Sequence, residues 1–346
     1  MLTPHTTPIQ HTIPPRFKPA PKRNDFASAA LALFSGRAEG HMGPWEYGPS
    51  LYAGDPAGGA DLWAELVKNP GAYYLTAADI ALTQYAAAHP LLHTALRDIE
   101  TVVELGPGSH EAMAAKTIPV LRAAPNCKNY IAVDIAASFA ADSAAYVNQT
   151  THIRSRGVVG DIFKKPLARP LPGPAAIMMT GGTIANLPCA AGEDPLPHLR
   201  QFFANLRRGL KSGDRLIINF DHQNDPQKIR AAYSEDAHRR YSVNALHRLK
   251  RDGIINGGTF DPALWRYEPV WIEQTRQCCH TVYPLFAQSV RIESLTLNIP
   301  AFQRFVMANS YKYDPQLLSW AALSSGYNHT EILSHGPMSM LIATAS

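Results

Sequence analysis

From Thr101 onward, short apolar runs alternate with longer amphipathic stretches, and this alternation constrains the fold more than any other feature of the chain. TVVEL (Thr101 to Leu105), NYIAVD (Asn129 to Asp134), IRSRGVVGD, AAIMMT and DRLIINF read as strands. Between them, HEAMAAKTIPVLRAA, IAASFAADSAAYV and a segment with Leu199, Phe202, Phe203, Leu206 and Leu210 on one face read as helices. Pro119 is expected to interrupt the first helix, and Lys211-Ser212-Gly213 to end the last. Strands that regularly alternate with helices form a mostly parallel sheet covered on both faces. The expected fold class is therefore α/β, a doubly wound Rossmann-like sheet.

The flanking segments have a different character. MLTPHTTPIQHTIPPRFKPAPKRN is rich in Pro, Thr and His and too poor in apolar side chains to offset the entropy of ordering it, so residues 1–25 are expected to be a disordered tail. DFASAALALF then opens a helix with Asp25 as N-cap. Thr76-Ala77-Ala78-Asp79 has the spacing of a capping box ahead of IALTQYAAA, which Pro90 stops. Beyond Asp225 come a polar helix around Tyr233 to Lys250, a Gly-rich loop INGG, and strand-like pieces VWIEQTRQ, SVRIESLTL and FQRFVMANSYKY. A chain of 346 residues is long enough for a second lobe of α+β type.

Composition excludes several function classes. There is no apolar run of the roughly 20 residues that a membrane span needs and no signal-peptide pattern, so a cytoplasmic protein without a membrane partner is expected. The net charge of +4 is spread out, and the basic residues from Arg16 to Arg23 lie among prolines without aromatic neighbours, a poor nucleic-acid surface. Cys127, Cys189, Cys278 and Cys279 lack C-x-x-C spacing and read as buried apolar side chains, so no metal site is expected.

The break after the first strand, ELGPGSHE, narrows the ligand. A dinucleotide fingerprint needs glycine at the first, third and sixth positions; here they are Gly106, Gly108 and Glu111. A carboxylate at the helix start repels the phosphate that a helix N-terminus otherwise attracts, which disfavours a nicotinamide oxidoreductase. S-adenosylmethionine (SAM), a cationic sulfonium nucleoside without phosphate, suits the residues better. Glu104 can face its positive methionine end, while Gly106 and Gly108 let the backbone approach. Asp134 at the end of the second strand is placed to accept both ribose hydroxyls, Asp161 to accept from the adenine amino group, and Ile162 to cover the ring. Thr180, ending AAIMMT, is counted with this cofactor set.

These residues also carry a resemblance. ELGPGS, AVDIA, GDIF, MMTGGTIANL and FFANLRRGLKSGDRLIINFDHQNDP, with GPWEYG, NPGAYYLT, AAYSED, YSVNALHRL and NSYKYDP in the same order, resemble the histidine-specific methyltransferase family over roughly residues 40 to 346. The resemblance implies a class I methyltransferase domain from residues 78–223 and 313–346, and a substrate-binding lobe from 26–77 and 224–312. It further implies that Tyr73 and Tyr233 hold a substrate carboxylate, and that Asn186 and the backbone at Gly181 position an amine. Tyr47 and Ser310 would line the side-chain pocket, with Tyr47 and Asn186 the catalytic candidates.

Departures from the family pattern bear on the substrate. Where the histidine enzymes place a glutamate for the imidazole, this chain has Ala308, and where they place a methionine after W-I-E it has Gln274. Loss of a buried carboxylate partner costs about 1–3 kcal/mol of recognition. Histidine is thus a poor candidate, and an enlarged, less acidic pocket with Gln274 as a neutral contact suits an indole or phenol. Gly182 stands where serine is usual and Ala112 where a lysine is usual. The expected function is SAM-dependent N-methylation of the α-amine of an aromatic amino acid or derived amine, as in secondary metabolism. Two readings stay open: methylation of a ring carbon or nitrogen of an indole-type substrate, and an adenosyl-ligand-binding protein without turnover. Direct displacement at the sulfonium needs alignment and exclusion of water more than a strong base. Tyr47, His222 and Asp221 are candidates to relay a proton, with capping the expected role of His222.

Overall fold

The computed structural model of the chain describes residues 23–37, 42, 59–68, 71–164 and 171–346. Nearly all of the tail expected at residues 1–25, and Tyr47, lie outside the described residues. Helices α1 (Arg23–Phe34), α2 (Gly59–Lys68), α3 (Leu75–Ala87) and α4 (Pro90–Leu96) precede the alternating part. That part runs β1 (Thr101–Leu105), α5 (His110–Arg122), β2 (Asn129–Asp134), α6 (Ala137–Thr150), β3 (Arg154–Val159), β4 (Ala175–Met179), a short 3-10 turn (Thr183–Asn186), α7 (Leu196–Arg207) and β5 (Arg215–Asp221). Helices α8 (Pro226–Tyr233) and α9 (Asp236–Arg251) follow, then β6 (Ile255–Gly258), β7 (Trp265–Ile272), β8 (Gln277–Pro284), β9 (Gln288–Ile292), β10 (Leu295–Ile299) and β11 (Phe305–Tyr311). The chain closes with α10 (Pro315–Leu323), β12 (Tyr327–His335) and β13 (Met338–Ala345).

The main sheet has seven strands in the order β12-β13-β5-β4-β1-β2-β3. β1 to β5 are mutually parallel, while β13 inserts antiparallel beside β5 and pairs with β12. The strand order reverses between the neighbours β1 and β4, and such a switch point opens a crevice at the carboxyl ends of the strands. β1 and β4 are buried at every residue because helices cover both faces, which is why their sequences read as unbroken apolar runs. Val103, Leu105 and Ile177 face Phe202, Phe203 and Leu318 of α7 and α10; Val102 and Met178 face Leu82, Met113 and Leu121 of α3 and α5. Among the described residues, no helix is long and apolar enough to cross a membrane.

A second core is built from α1, α9 and two three-stranded antiparallel sheets, β10-β9-β6 and β11-β8-β7. Phe34 sits at its centre, with ring centroids 5.5 Å from Phe305 and 5.8 Å from Trp265. A bulge at Met307 shifts the register between β11 and β8, so that Ala308 stands opposite His280 and Ser310 opposite Cys278.

Four local readings of the sequence are corrected. Pro119 does not interrupt α5, which runs from His110 to Arg122 through a π turn at Met113–Thr117; the Ile118 N–H reaches back to the Met113 carbonyl, and the widened turn precedes the residue that lacks an N–H. Asp79 does not cap α3, whose N-cap is Tyr74, because its carboxylate is drawn into the interior. The polar helix is α9 but begins at Asp236, after a break at Ser234-Glu235 that separates it from α8, and INGG is strand rather than loop, paired to β9.

At Gly157 in β3, an added Cβ would lie 2.3 Å from the Ala140 carbonyl oxygen of α6, so backbone meets backbone with nothing to yield. Gly157→Ala is expected to lower stability by about 1–3 kcal/mol, the usual cost of forced overpacking, read as an earlier urea midpoint at unchanged m-value.

Candidate active site

One continuous cleft runs along the carboxyl ends of β1 to β4 and extends beneath β8 and β11. Gly106, φ +73°, and Gly181, φ +74°, form its floor. Both are left-handed, and a side chain at Gly106 would press on Thr183 at 3.3 Å and one at Gly181 on the Lys116 ammonium at 3.1 Å. Gly182 is also left-handed, φ +66°, a backbone conformation that strains a serine.

At one end, Asp134 and Asp161 follow successive strands. Asp134 is buried and accepts from the Ala136 N–H at 2.8 Å. Burial pushes its carboxyl up to about 7, against the lowering effect of backbone N–H groups at Ala136, Gly108 and Ile135. Asp161 accepts from the Phe163 N–H through Oδ1, while its shielded Oδ2 has no hydrogen-bond partner, the Lys164 ammonium standing 3.5 Å away. Ile135, Phe139, Ile162 and Phe163 line this end with apolar surface. Two carboxylates, one with an orphaned oxygen, between apolar walls fit a nucleoside with a free diol and an amino group, as SAM has. A phosphate does not fit: Glu111 lines the cleft at the first turn of α5, held ionised by its own backbone N–H and by Lys68 at 3.0 Å.

Glu104 and Thr180 depart from expectation. Neither lines the cleft. Glu104 is fully buried beneath it and accepts from Tyr130 (2.7 Å), Thr117 (2.8 Å) and Thr180 (3.1 Å). Strand alternation turns its side chain from the cleft toward the underside of α5. Burial raises its pKa, opposed by these hydrogen bonds and by Lys116. The lysine missing at Ala112 has a counterpart one turn further along α5. Lys116 lines the cleft, paired with Asp79 at 2.9 Å, and Asp79 also accepts from Asn219 and from the Gly181 N–H. The Gly181 amide is therefore already engaged.

The other end gathers Tyr73, Asn186, Tyr233, Ala308 and Ser310, all of which line the cleft. Tyr73 and Tyr233 meet edge to face at 5.7 Å, and the Tyr233 hydroxyl lies 2.6 Å from Ser310 Oγ. The Asn186 carboxamide makes no hydrogen bond among the described residues and is open to a ligand. Gln274 is displaced from its expected place: it is exposed in the tight turn between β7 and β8, where Arg276 takes φ +52°, and does not line the cleft.

Sequence reasoning passed over five cleft-lining residues, Trp63, His238, Tyr241, Ser242 and His280, and a buried ion pair behind them. The i, i+3, i+4 spacing of His238, Tyr241 and Ser242 on α9 was the available signal. Lys312 and Asp221, both 0% exposed, pair at 2.8 Å. Lys312 also donates to the Tyr233 hydroxyl at 2.7 Å, and Asp221 accepts from the Tyr74 hydroxyl at 2.6 Å. Asp221 is thus committed and lies off the cleft, and His222 bonds the Gly336 carbonyl, in the turn between β12 and β13, at 3.0 Å. Outside the cleft, one group that the spacing did not reveal, Cys189, Glu193 and His198, has ligand-type atoms within 4.8 Å of one another; Glu193 bonds the other two, at 3.4 and 3.0 Å.

A reversed parallel sheet with its antiparallel β13, glycines after β1 and acids after β2 and β3 define a class I SAM-dependent methyltransferase. Residues 50–340 match the family described as histidine-specific methyltransferase, SAM-dependent, and the chain belongs to that family. No curated protein matches it in sequence. Among solved structures, it is similar to a sugar N-methyltransferase from Streptoalloteichus sp., at 13% identity over 86% of this chain and 97% of that one, TM-score 0.41. It is also similar to a human N-acetylserotonin methyltransferase in complex with SAM, at 12% identity over 93% and 67%, TM-score 0.37.

Lys312→Met strands the Asp221 carboxylate in the interior and is expected to cost about 3–5 kcal/mol, as breaking a buried pair from one side does. Lys312→Met with Asp221→Leu should recover much of that loss; equal destabilisation of single and double variants in urea melts would contradict this.

Proposed function

We propose that the enzyme N-methylates the α-amine of an aromatic amino acid or a derived amine, of indole or phenol type, in preference to histidine. The observation that carries this reading is the make-up of the far end of the cleft. Trp63, Tyr73, Tyr233 and Tyr241 wall it, and Ala308 stands where a carboxylate would receive an imidazole. The carboxylates lining the described cleft are elsewhere: Asp134 and Asp161 at the nucleoside end, Glu111 at the start of α5, and Asp79 paired to Lys116.

In this reading residues 78–223 and 313–346 hold the cofactor, and 26–77 and 224–312 hold the acceptor. Asp134 grips the ribose diol, the free Oδ2 of Asp161 takes the adenine amino group, and Ile162 covers the ring. Tyr73 and Tyr233 hold the substrate carboxylate, with the Lys312 ammonium behind Tyr233 strengthening its hydroxyl as a donor. Asn186 orients the amine. Bound SAM supplies a methyl group on a positively charged sulfur. The protein aligns the neutral amine with that methyl and keeps water out of the aromatic chamber. The nitrogen lone pair forms the new N–C bond as the S–C bond breaks, and the product leaves as the methylated ammonium, which loses its proton in bulk water after release. Tyr47 lies outside the described residues, and its proposed place beside the amine rests on its motif.

Incubation with methyl-labelled SAM and tryptophan, tyrosine, phenylalanine or histidine is expected to place label on the α-nitrogen of an aromatic acceptor. Turnover of histidine at an equal or higher kcat/KM would overturn the proposal, and label on a ring atom would place the acceptor the other way round. Asn186→Ala should lower kcat/KM on the labelled acceptor about 100-fold, the size of a lost alignment, with little effect on cofactor affinity.

The nucleoside end carries a pH signature. With its carboxyl near pH 7, Asp134 gains a proton as the pH falls through that value and can no longer accept both hydroxyls. Affinity for S-adenosylhomocysteine should therefore fall below about pH 7, by up to about tenfold per pH unit. The contribution of Asp134 to stability runs the opposite way. Its folded pKa is above the unfolded value, so the native state binds the extra proton, and the group adds stability as the pH drops from about 7 toward 4. In Asp134→Asn, calorimetry should find weak binding at every pH.

A further inference from the structure

His238 has a place in the cleft that the alignment of the amine does not use. It projects from α9 into the chamber, 3% exposed, with its ring 5.0 Å from that of His280, nearly parallel at 17°. Tyr233 meets it edge-on at 4.9 Å, and Tyr73, Tyr241 and Tyr267 complete the surround. Its two hydrogen bonds to other side chains are made by Nδ1, to Ser242 Oγ at 3.2 Å and to the Tyr267 hydroxyl at 3.4 Å. Its Nε2 makes no hydrogen bond among the described residues.

The direction of these bonds follows from Tyr267. Its hydroxyl lies closer to His280 Nδ1, at 2.7 Å, and a phenol is a better acid than a neutral imidazole N–H. Tyr267 thus donates to His280, and its oxygen is an acceptor toward His238. Ser242 Oγ can accept from the same nitrogen. His238 then carries its proton on Nδ1, and Nε2 presents a bare lone pair inside the cleft. Burial, reinforced by the Lys312 ammonium, lowers its pKa to about 3, so the ring stays neutral and keeps that lone pair at any working pH. Because His238 lines the cleft, this acceptor is within reach of a ligand that brings the donor.

We infer that His238 selects the acceptor molecule by taking a hydrogen bond at Nε2 from an N–H or O–H borne on its aromatic ring, so that the enzyme prefers an indole or phenol to a plain benzene ring. This rests on the proposed aromatic acceptor and narrows it to rings that carry a donor. His280 supports the arrangement from the facing strand: it is the cross-strand partner of Ala308, so an imidazole flanks the space left by the missing glutamate side chain. The polarity of the pocket is thereby reversed relative to the family's histidine sites. Those present a carboxylate to an imidazole of the substrate; here an imidazole of the protein waits for a donor.

The test is calorimetric binding in the presence of S-adenosylhomocysteine, comparing tryptophan with benzothienylalanine, in which sulfur replaces the ring N–H at nearly the same shape. The wild-type protein is expected to bind tryptophan about tenfold or more tightly, because a site built for a donor rejects the analogue that lacks it. In His238→Leu the ratio should fall toward one through loss of tryptophan affinity alone, with benzothienylalanine held within about twofold, the scale of a neutral packing change. Equal binding of both compounds by the wild type overturns the inference and leaves the aromatic acceptor standing, as does a preference that survives in His238→Leu. Failure of tryptophan, tyrosine and phenylalanine all to bind, while S-adenosylhomocysteine does, removes the proposed function with it. If His238→Leu does not fold, the wild-type protein is compared on tryptophan and tryptophan methylated at the ring nitrogen, which has no donor: weaker binding of the methylated compound supports the inference, and equal binding overturns it.

Discussion

One ammonium group taken wholly out of water holds the two ends of the cleft in register. Lys312, just past the last residue of β11, meets Asp221 at the end of β5, and the same nitrogen donates to the hydroxyl of Tyr233 on α8. Asp221 passes the connection to Tyr74 at the threshold of α3. A buried charge of this kind is tolerable only with its partners in place, because desolvation costs several kcal/mol per ion. The cofactor sheet and the acceptor chamber therefore cannot slide relative to one another without exposing an unpaired charge. This coupling matters for a displacement reaction, in which a misplacement of about 1 Å can cost 100-fold in rate.

The same constraint on buried polarity shapes the floor of the cleft. Glu104 sits beneath the glycine turn and ties β1 to β2, to β4 and to α5 through three hydroxyls. Asp79 and Lys116 do the equivalent above, joining α3 to α5 and holding the Gly181 amide. The other charged groups near the cofactor crevice are hydrogen-bonded, whereas Oδ2 of Asp161 has no hydrogen bond and only the Lys164 ammonium near it, at 3.5 Å. The walls between them are apolar, so a nucleoside is read by few polar contacts on a rigid base.

Much of the cofactor half is legible in the order of residues alone. β1 and β2 fall on the residues read as strands, and Gly106, Gly108, Asp134, Asp161 and Ile162 all reach the cleft. Sequence position reports which strand end a residue occupies, and in a parallel sheet those ends converge. The errors are of another kind. A place at a strand end points Glu104 toward the ligand, but strand alternation puts it on the far face. Its motif points Gln274 toward the substrate, but a tight turn carries it to the surface. His238 shares a helix face with Tyr241 and Ser242, but that spacing does not say what the face meets, and His280 in its strand carries no pattern; only their stacking across two elements gives them meaning.

The succession of apolar and polar residues by itself determined a doubly wound sheet and the acids and glycines that ring the crevice, because periodicity and strand-end chemistry are local properties of the chain. It also places Ala308 where the resemblance implies an acid. What fills the space beside Ala308 was decided only by tertiary structure. Residues 233, 238, 280, 308 and 312 come from four separate elements and the residue after one of them, and their meeting depends on a β-bulge, a buried ion pair and the seating of α9 on β8. Those are contacts between residues far apart in sequence, whose free energy exists only once the chain has closed on itself.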